Sequence, residues 1–256
     1  MTARTLSLIA LPNVPEVRPG DDLSELLVEG IERVAEQLHP HDVLVVAQKI
    51  VSKSENRFVD LDEVIPSAEA EEWARRTNKD ARLVELILRE SLGVIRWGRD
   101  VLIVEHRLGH IMANAGIDFS NVPSEARPLA LLLPRDPDTS AENLRARVYE
   151  RTGTEVGVLI IDSFGRPFRQ GVCGTAIGTA GVASLVDMRG KLDRSGRELR
   201  VTQVAVADEL AAAASLVMGQ AAEGTPAVLA RGVPYSDLQP GRCSMLLRPR
   251  SEDLFR

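Results

Sequence analysis

Apolar positions along the chain follow two periods. Continuous apolar runs at residues 43–46 and 156–161, rich in β-branched side chains, have the length of strands buried on both faces. Shorter apolar segments at residues 5–10, 93–97, 101–105, 109–112, 199–206 and 226–230 predict further strands, and residues 129–133 form another apolar stretch. Helical spacing appears first in Leu23, Leu26, Leu27, Ile31, Val34 and Leu38, behind a cap at Asp21 or Asp22 and before the breaker His39-Pro40-His41. Pro66-Ser67 opens a helical region running to Leu92, with Trp73, Leu83, Val84, Leu86, Ile87 and Leu88 offering core contacts and a break at Asn78-Lys79. A third helix follows the turn at Arg135-Asp136-Pro137-Asp138, with a capping box from Thr139 to Glu142, Leu144 and Val148 inward and Gly153 at its end. Residues 208–218 form an alanine-rich helix. The elements alternate irregularly, with more short strands than a doubly wound sheet needs. The pattern therefore predicts an α+β fold of mixed sheets and helices in two intimately packed lobes. No repeat, low-complexity tract or linker divides the chain, so residues 1–256 read as a single domain.

Composition narrows the function classes. A hydrophobic content of 44% suits a globular protein, and a formal charge of -6 argues against nonspecific affinity for nucleic acid. Cys173 and Cys243 form no CxxC pair, which points to neither a disulfide framework nor a zinc site. The apolar patch near the N-terminus is too short for a signal peptide, and no run reaches membrane-spanning length. A cytoplasmic protein without nucleic-acid or membrane partners is expected.

The stretch VGVLIIDSFGRPFRQGVCGTAIGTAG, residues 156–181, concentrates the candidate chemistry. Its apolar run is expected to stop at Asp162-Ser163, and Arg166 and Arg169 follow among closely spaced glycines. Such a segment brings backbone and guanidinium groups near a phosphate while a carboxylate faces a metal ion. Ordinary turn chemistry with surface arginines accounts for the same residues. The stretch has neither a Walker loop nor a GxGxxG spacing. The strand at residues 43–46 is read as running on through Gln48, Lys49 and Lys53, whose lysines suit either phosphate binding or an aggregation-resistant edge. Asp118 lies in a small, polar loop where Asx turns are the everyday alternative. With Asp162, Gln220 and Glu223 it offers oxygen ligands for Mg2+ or Mn2+. Carboxylates for metal ions together with cations for phosphates are the equipment of phosphoryl transfer. His39 and His41 read as surface residues.

The segments VLVVAQKIVSK, ANAGIDFSNV, VGVLIIDSFGRPFRQGVCGTAIGTAG, DRSGRELRVTQVAVADELAAAASLVMGQAAEG and PAVLARG occur in this order. Together they make the chain resemble the coenzyme F420-0:L-glutamate ligase family over about residues 5–235. The resemblance implies the family's own ligase fold and a GTP-dependent amide ligase. Such an enzyme adds γ-linked L-glutamate to the lactyl carboxylate of F420-0 through an acyl phosphate, releasing GDP and phosphate in F420 biosynthesis. It also implies a homodimer using Mg2+ or Mn2+, two ions in all, helped by K+. Carried over by motif position, Asp118, Asp162, Ser163 and Gln220 would hold the divalent metal. Asn13, Val14, Pro15, Glu16, Gln48, Lys49, Lys53, Asn121, Met218, Gly219, Gln220, Ala221, Ala222, Glu223, Gly224 and Thr225 would contact GTP. Asp118, Asp162, Arg166 and Lys53 would carry the catalysis. Relatives with two domains continue into a flavin-binding, nitroreductase-like domain, and this sequence is expected to lack one. Phe164 and Gln220 depart from residues common in the family, Phe164 toward the acceptor side and Gln220 by replacing a glutamate. A ligase for another carboxylate acceptor and a non-catalytic nucleotide- or deazaflavin-binding protein are the alternatives.

Overall fold

The computed structural model describes residues 4–119, 128–234 and 238–254. Its main sheet contains β1 (Ser7–Ala10), β2 (Val43–Ala47), β8 (Gly157–Arg166), β9 (Arg169–Ala180) and β12 (Ala227–Arg231). Their order is β1-β12-β2-β8-β9, so the last strand of the chain is inserted between the first two. All neighbours are antiparallel except β2 and β8, which run parallel from Val43 opposite Gly157 to Ala47 opposite Ile161. Both faces of this sheet are covered. Leu44, Val46, Val158 and Ile160 meet α1 (Leu23–Arg33) and α5 (Pro137–Thr152), while Val45, Leu159 and Ile161 meet α6 (Val206–Met218). Double burial is why these strands are apolar at every position instead of alternating.

The connection from β2 to β8 builds a second body. It contains α2 (Gln48–Ser54), β3 (Phe58–Asp60), α3 (Ala68–Thr77), α4 (Ala81–Arg89), β4 (Ser91–Gly98), β5 (Val101–His106), β6 (Ile111–Ala113) and β7 (Leu129–Leu131). Here α3 and α4 pack Ala70, Ala74, Val84 and Ile87 against Leu102 and Val104 of the three-stranded sheet β4-β5-β6. The β3–β7 pair and a small cluster of Leu61, Leu86 and Ala130 lie beside it. A short pair, β10 (Val186–Asp187) and β11 (Gln203–Val204), completes the α+β architecture.

Several expected boundaries move for identifiable reasons. Helix α1 ends at Arg33, where Ala35 turns left-handed, and Val34 and Leu38 reach the core from irregular backbone. Residues 48–53 fold as α2 and do not extend β2; Ser52 Oγ donates to Gln48 Oε1 one turn earlier, at 2.9 Å. Asp136, and not Thr139, caps α5: it accepts from Thr139 N at 3.1 Å and Thr139 Oγ1 at 2.8 Å, with Pro137 in the first turn. Of the strand expected over residues 199–206 only Gln203–Val204 pairs, and Val201 is exposed. The run at 156–161 does not stop at Asp162-Ser163 but continues through them into a long hairpin, so the glycine-rich segment is strand β9 and not a loop.

The second body also buries two histidines that the sequence pattern did not single out. His39 and His41 are exposed as expected, whereas His106 and His110 are buried. Burial lowers both of the latter to about 4. Around His106, Glu90 opposes this shift while His110, Arg107 and Arg57 reinforce it; Asp138 opposes it at His110. Protons taken up only on unfolding make the fold weaker as pH falls below the ordinary histidine value near 6.5. Between pH 6.5 and 5, above the range of ion-paired carboxylates, each should cost on the order of 1–2 kcal/mol. Urea midpoints measured across that window should fall with pH; a constant midpoint would contradict the buried, neutral assignment.

Candidate functional site

Parallel pairing brings the carboxyl ends of β2 and β8 to the same edge of the sheet. From β2 the chain enters α2 at once, placing Gln48, Lys49 and Lys53; from β8 it places Asp162 and Ser163. A cleft of about 750 Å³ opens between them. Its other walls are the segment after β1, Val14, Pro15, Glu16 and Val17, and the connection from α6 to β12. From that connection Met218, Gly219, Gln220, Ala221, Glu223, Gly224 and Thr225 line the cleft.

Each charged group is held in place. Lys53 is 6% exposed, and its Nζ lies 3.4 Å from Glu16 Oε1, leaving an ammonium at the wall of the cleft with one loose counter-charge. Lys49 Nζ is 2.7 Å from Asp118 Oδ2. The Asp118 backbone is pinned by a two-way exchange with Leu131, its N–H donating at 3.0 Å and its carbonyl accepting at 2.9 Å. Burial raises the Asp162 carboxyl to about 6; the Ser163 N–H and Lys49 pull it down, while Asp118 pushes it up. Loss of water is thus the main reason Asp162 resists ionisation, and the charge of Asp118 adds to it.

Across the cleft, Ser163 Oγ donates to Gln220 Oε1 at 2.9 Å, tying β8 to the connection after α6. That connection is organised by its own carboxylate: Ala221 N donates to Glu223 Oε2 at 2.7 Å, and Thr225 Oγ1 donates to the Met218 carbonyl at 2.5 Å. Gly219 has φ of 77°, and a Cβ there would lie 2.2 Å from the Glu223 carboxyl carbon, so glycine is required.

Asp118, Asp162, Ser163 and Gln220 are an oxygen-only donor set, which suits a hard cation such as Mg2+ or Mn2+. Among the described residues no group of three or more His, Cys, Asp or Glu residues converges as a metal site, and a cation held here would need the neutral oxygens of Ser163 and Gln220 beside the two carboxylates.

The other residues singled out from sequence fall differently. Asn13 occupies a left-handed turn just before the cleft wall, and neither it nor Ala222 lines the cleft. Arg166 pairs with Arg169 at the end of the β8–β9 hairpin, donates to the Gln170 carbonyl at 3.1 Å, and lies outside the lining. Asn121 lies outside the described residues. Phe164 packs edge-on against His110, with ring centres 5.6 Å apart, and against the main core; it does not line the cleft. Val17, Ser215 and Pro226 also line it without having been singled out, although Ser215 and Pro226 fall within the family-like segments 193–224 and 226–232. Helical spacing from Ala211 was a further signal for Ser215, putting both over β9.

Fold and cleft together define an α+β protein whose cleft presents Lys49 and Lys53 beside Asp162, with Asp118 paired to Lys49 outside the lining and no helix long and apolar enough to cross a membrane among the described residues. Residues 12–232 match the family described as F420-0:Gamma-glutamyl ligase, and the chain belongs to that ligase family. It is 50% identical to the Coenzyme F420:L-glutamate ligase of Methanothermobacter thermautotrophicus, over 98% of this chain and 99% of that one. It is 48% identical to the protein of the same name from Methanopyrus kandleri, over 98% of each chain, and 41% identical to that of Archaeoglobus fulgidus, over 98% of this chain and 96% of the other.

Proposed function

We propose that the protein is a GTP-dependent ligase that joins L-glutamate through its amine to the lactyl carboxylate of F420-0, any further glutamate being γ-linked to the one before it. The observation that carries this reading is the convergence of Lys49, Lys53 and Asp162 on one cleft, with Asp118 outside the lining but ion-paired to Lys49, in a chain closely similar to proteins named Coenzyme F420:L-glutamate ligase. In the proposed reaction a carboxylate oxygen of F420-0 attacks the γ-phosphorus of GTP, and GDP leaves. The glutamate amine then attacks the acyl phosphate carbon and expels phosphate, giving the amide.

The chain's own groups serve these steps by position and charge. Lys53, almost wholly buried behind Glu16, neutralises phosphate oxygens without needing to be ordered first. Lys49 orients Asp118 through the 2.7 Å ion pair. Asp118 and Asp162, with Ser163 and Gln220, would hold Mg2+ or Mn2+, which when bound supplies electrostatic stabilisation to a transferring phosphoryl group. The loop folded around Glu223 offers backbone and side-chain contacts to the nucleotide. Support by K+, a homodimeric state and a cytoplasmic location are parts of the same proposal. For the dimer, sedimentation of the pure protein gives the test: a monomer at working concentration removes that part.

The enzyme reading is tested by incubating the pure protein with GTP, Mn2+, K+, L-glutamate and F420-0 and weighing the deazaflavin by mass spectrometry. Mass gained in glutamyl steps, with one GDP released per step, is expected. GTP consumption without that product would point to a different carboxylate acceptor, and ligand binding without turnover to a binding protein.

A further inference from the structure

A second cavity, about 440 Å³ in volume, shares no lining residue with the cleft. It opens where Arg57, Glu90 at the end of α4, His106 at the end of β5, Arg107 and Arg135 come together. Three guanidinium groups face a single carboxylate there. Glu90 is held by Arg107 at 2.7 Å and by Arg57 at 3.3 Å, while Arg135 forms no ion pair among the described residues. Among the lining residues two positive charges are left over, with Glu55, outside the lining, also acting on Arg57. His106 adds an independent sign. Its Nδ1 accepts from Leu108 N at 3.0 Å, which puts the proton of the neutral ring on Nε2. That Nε2 is buried without a hydrogen-bond partner, because Glu90 Oε2 stops at 3.7 Å. A buried donor left unpaired is costly unless something else accepts from it.

We propose that this cavity binds a small oxyanion, a carboxylate or a phosphate, whose oxygens accept from His106 Nε2 and from the guanidinium groups of Arg107 and Arg135. Cavity size suits a small molecule, and the walls offer donors for which Glu90 is too far or already engaged. Glu90 competes with the ligand for the same guanidinium groups, so its charge sets the affinity.

The test is calorimetric titration of the full chain with inorganic phosphate and, separately, with L-glutamate. Both probes are also substrate and product at the cleft in the proposed reaction, so saturable binding of either supports this site where Arg135→Ala weakens it and Lys53→Ala does not, and the probe that behaves so identifies the oxyanion. Arg107→Ala and Arg135→Ala, whose parent side chains are largely solvent-facing, should each weaken binding about tenfold or more. Glu90→Gln should tighten it several-fold, which a purely structural role for Glu90 would not do. Lys53→Ala, at the cleft, should leave it unchanged. Absence of saturable binding of both probes up to about 10 mM overturns the proposal. So does binding that Lys53→Ala removes and Arg135→Ala leaves intact.

Discussion

Asp162→Asn should lower turnover about a thousandfold or more, with the melting temperature unchanged or raised. Asparagine keeps the size and one acceptor oxygen but removes the charge expected to hold a divalent cation. Retention of the fold follows from the site's own electrostatics. Burial and Asp118 both disfavour the ionised Asp162, so in the ligand-free protein this charge opposes folding above its raised value of about 6. Solvent in the cleft limits that effect to on the order of 1 kcal/mol. Activity and thermal unfolding should thus move in different directions, as at sites where function is kept at the expense of stability. A variant with near-normal turnover would remove Asp162 from the metal set; one that unfolds would make it structural.

The second large effect concerns stability. Gly178→Ala should destabilise the protein by about 2–3 kcal/mol or more, because a Cβ there would lie 2.4 Å from the Pro137 carbonyl where α5 begins. Gly174→Ala should behave similarly, since its Cβ would meet the Ala211 carbonyl of α6 at 2.4 Å. In both cases the obstacle is backbone, which cannot move aside as a side-chain tip does. Gly165→Ala, with open space around its Cβ, is the control and should cost little. Urea unfolding of the three variants reads the difference directly; equal midpoints would mean that the helices do not rest on β9 as closely as described.

These glycines also show where sequence was misleading. Close backbone approach was expected from them, and it occurs, but toward the helices at Gly174 and Gly178 and not toward a ligand. The strand reading of residues 48–53 failed because lysines at positions four apart fit a helix as well as a strand, and only the Ser52–Gln48 bond and the turn at Gln48 decide between them. By contrast Ser67 began α3 and Asn78 ended it as expected, because a hydroxyl cap and a left-handed asparagine act locally. The apolar strands 43–46 and 156–161 were equally legible, since double burial leaves a continuous run. Residue types at Lys49, Asp118 and Asp162 were visible too. Their meeting was not, because it depends on the parallel pairing of β2 with β8 and on the bridge from Asp118 to Leu131, neither of which leaves a periodic trace.

The position of β12 between β1 and β2 bears on how the protein is made. On the ribosome the two earliest strands emerge first, but β1 has no partner in the sheet, and β2 only β8, until residue 231 has been synthesised. Two walls of the cleft hang on that event, the segment after β1 and the connection leading directly into β12, whereas the ends of β2 and β8 do not. Nascent chains that stop short of β12 can fold the second body, whose contacts are local, yet have only half a cleft to offer a ligand. Ligand-binding competence therefore arrives at the end of translation, in one late step.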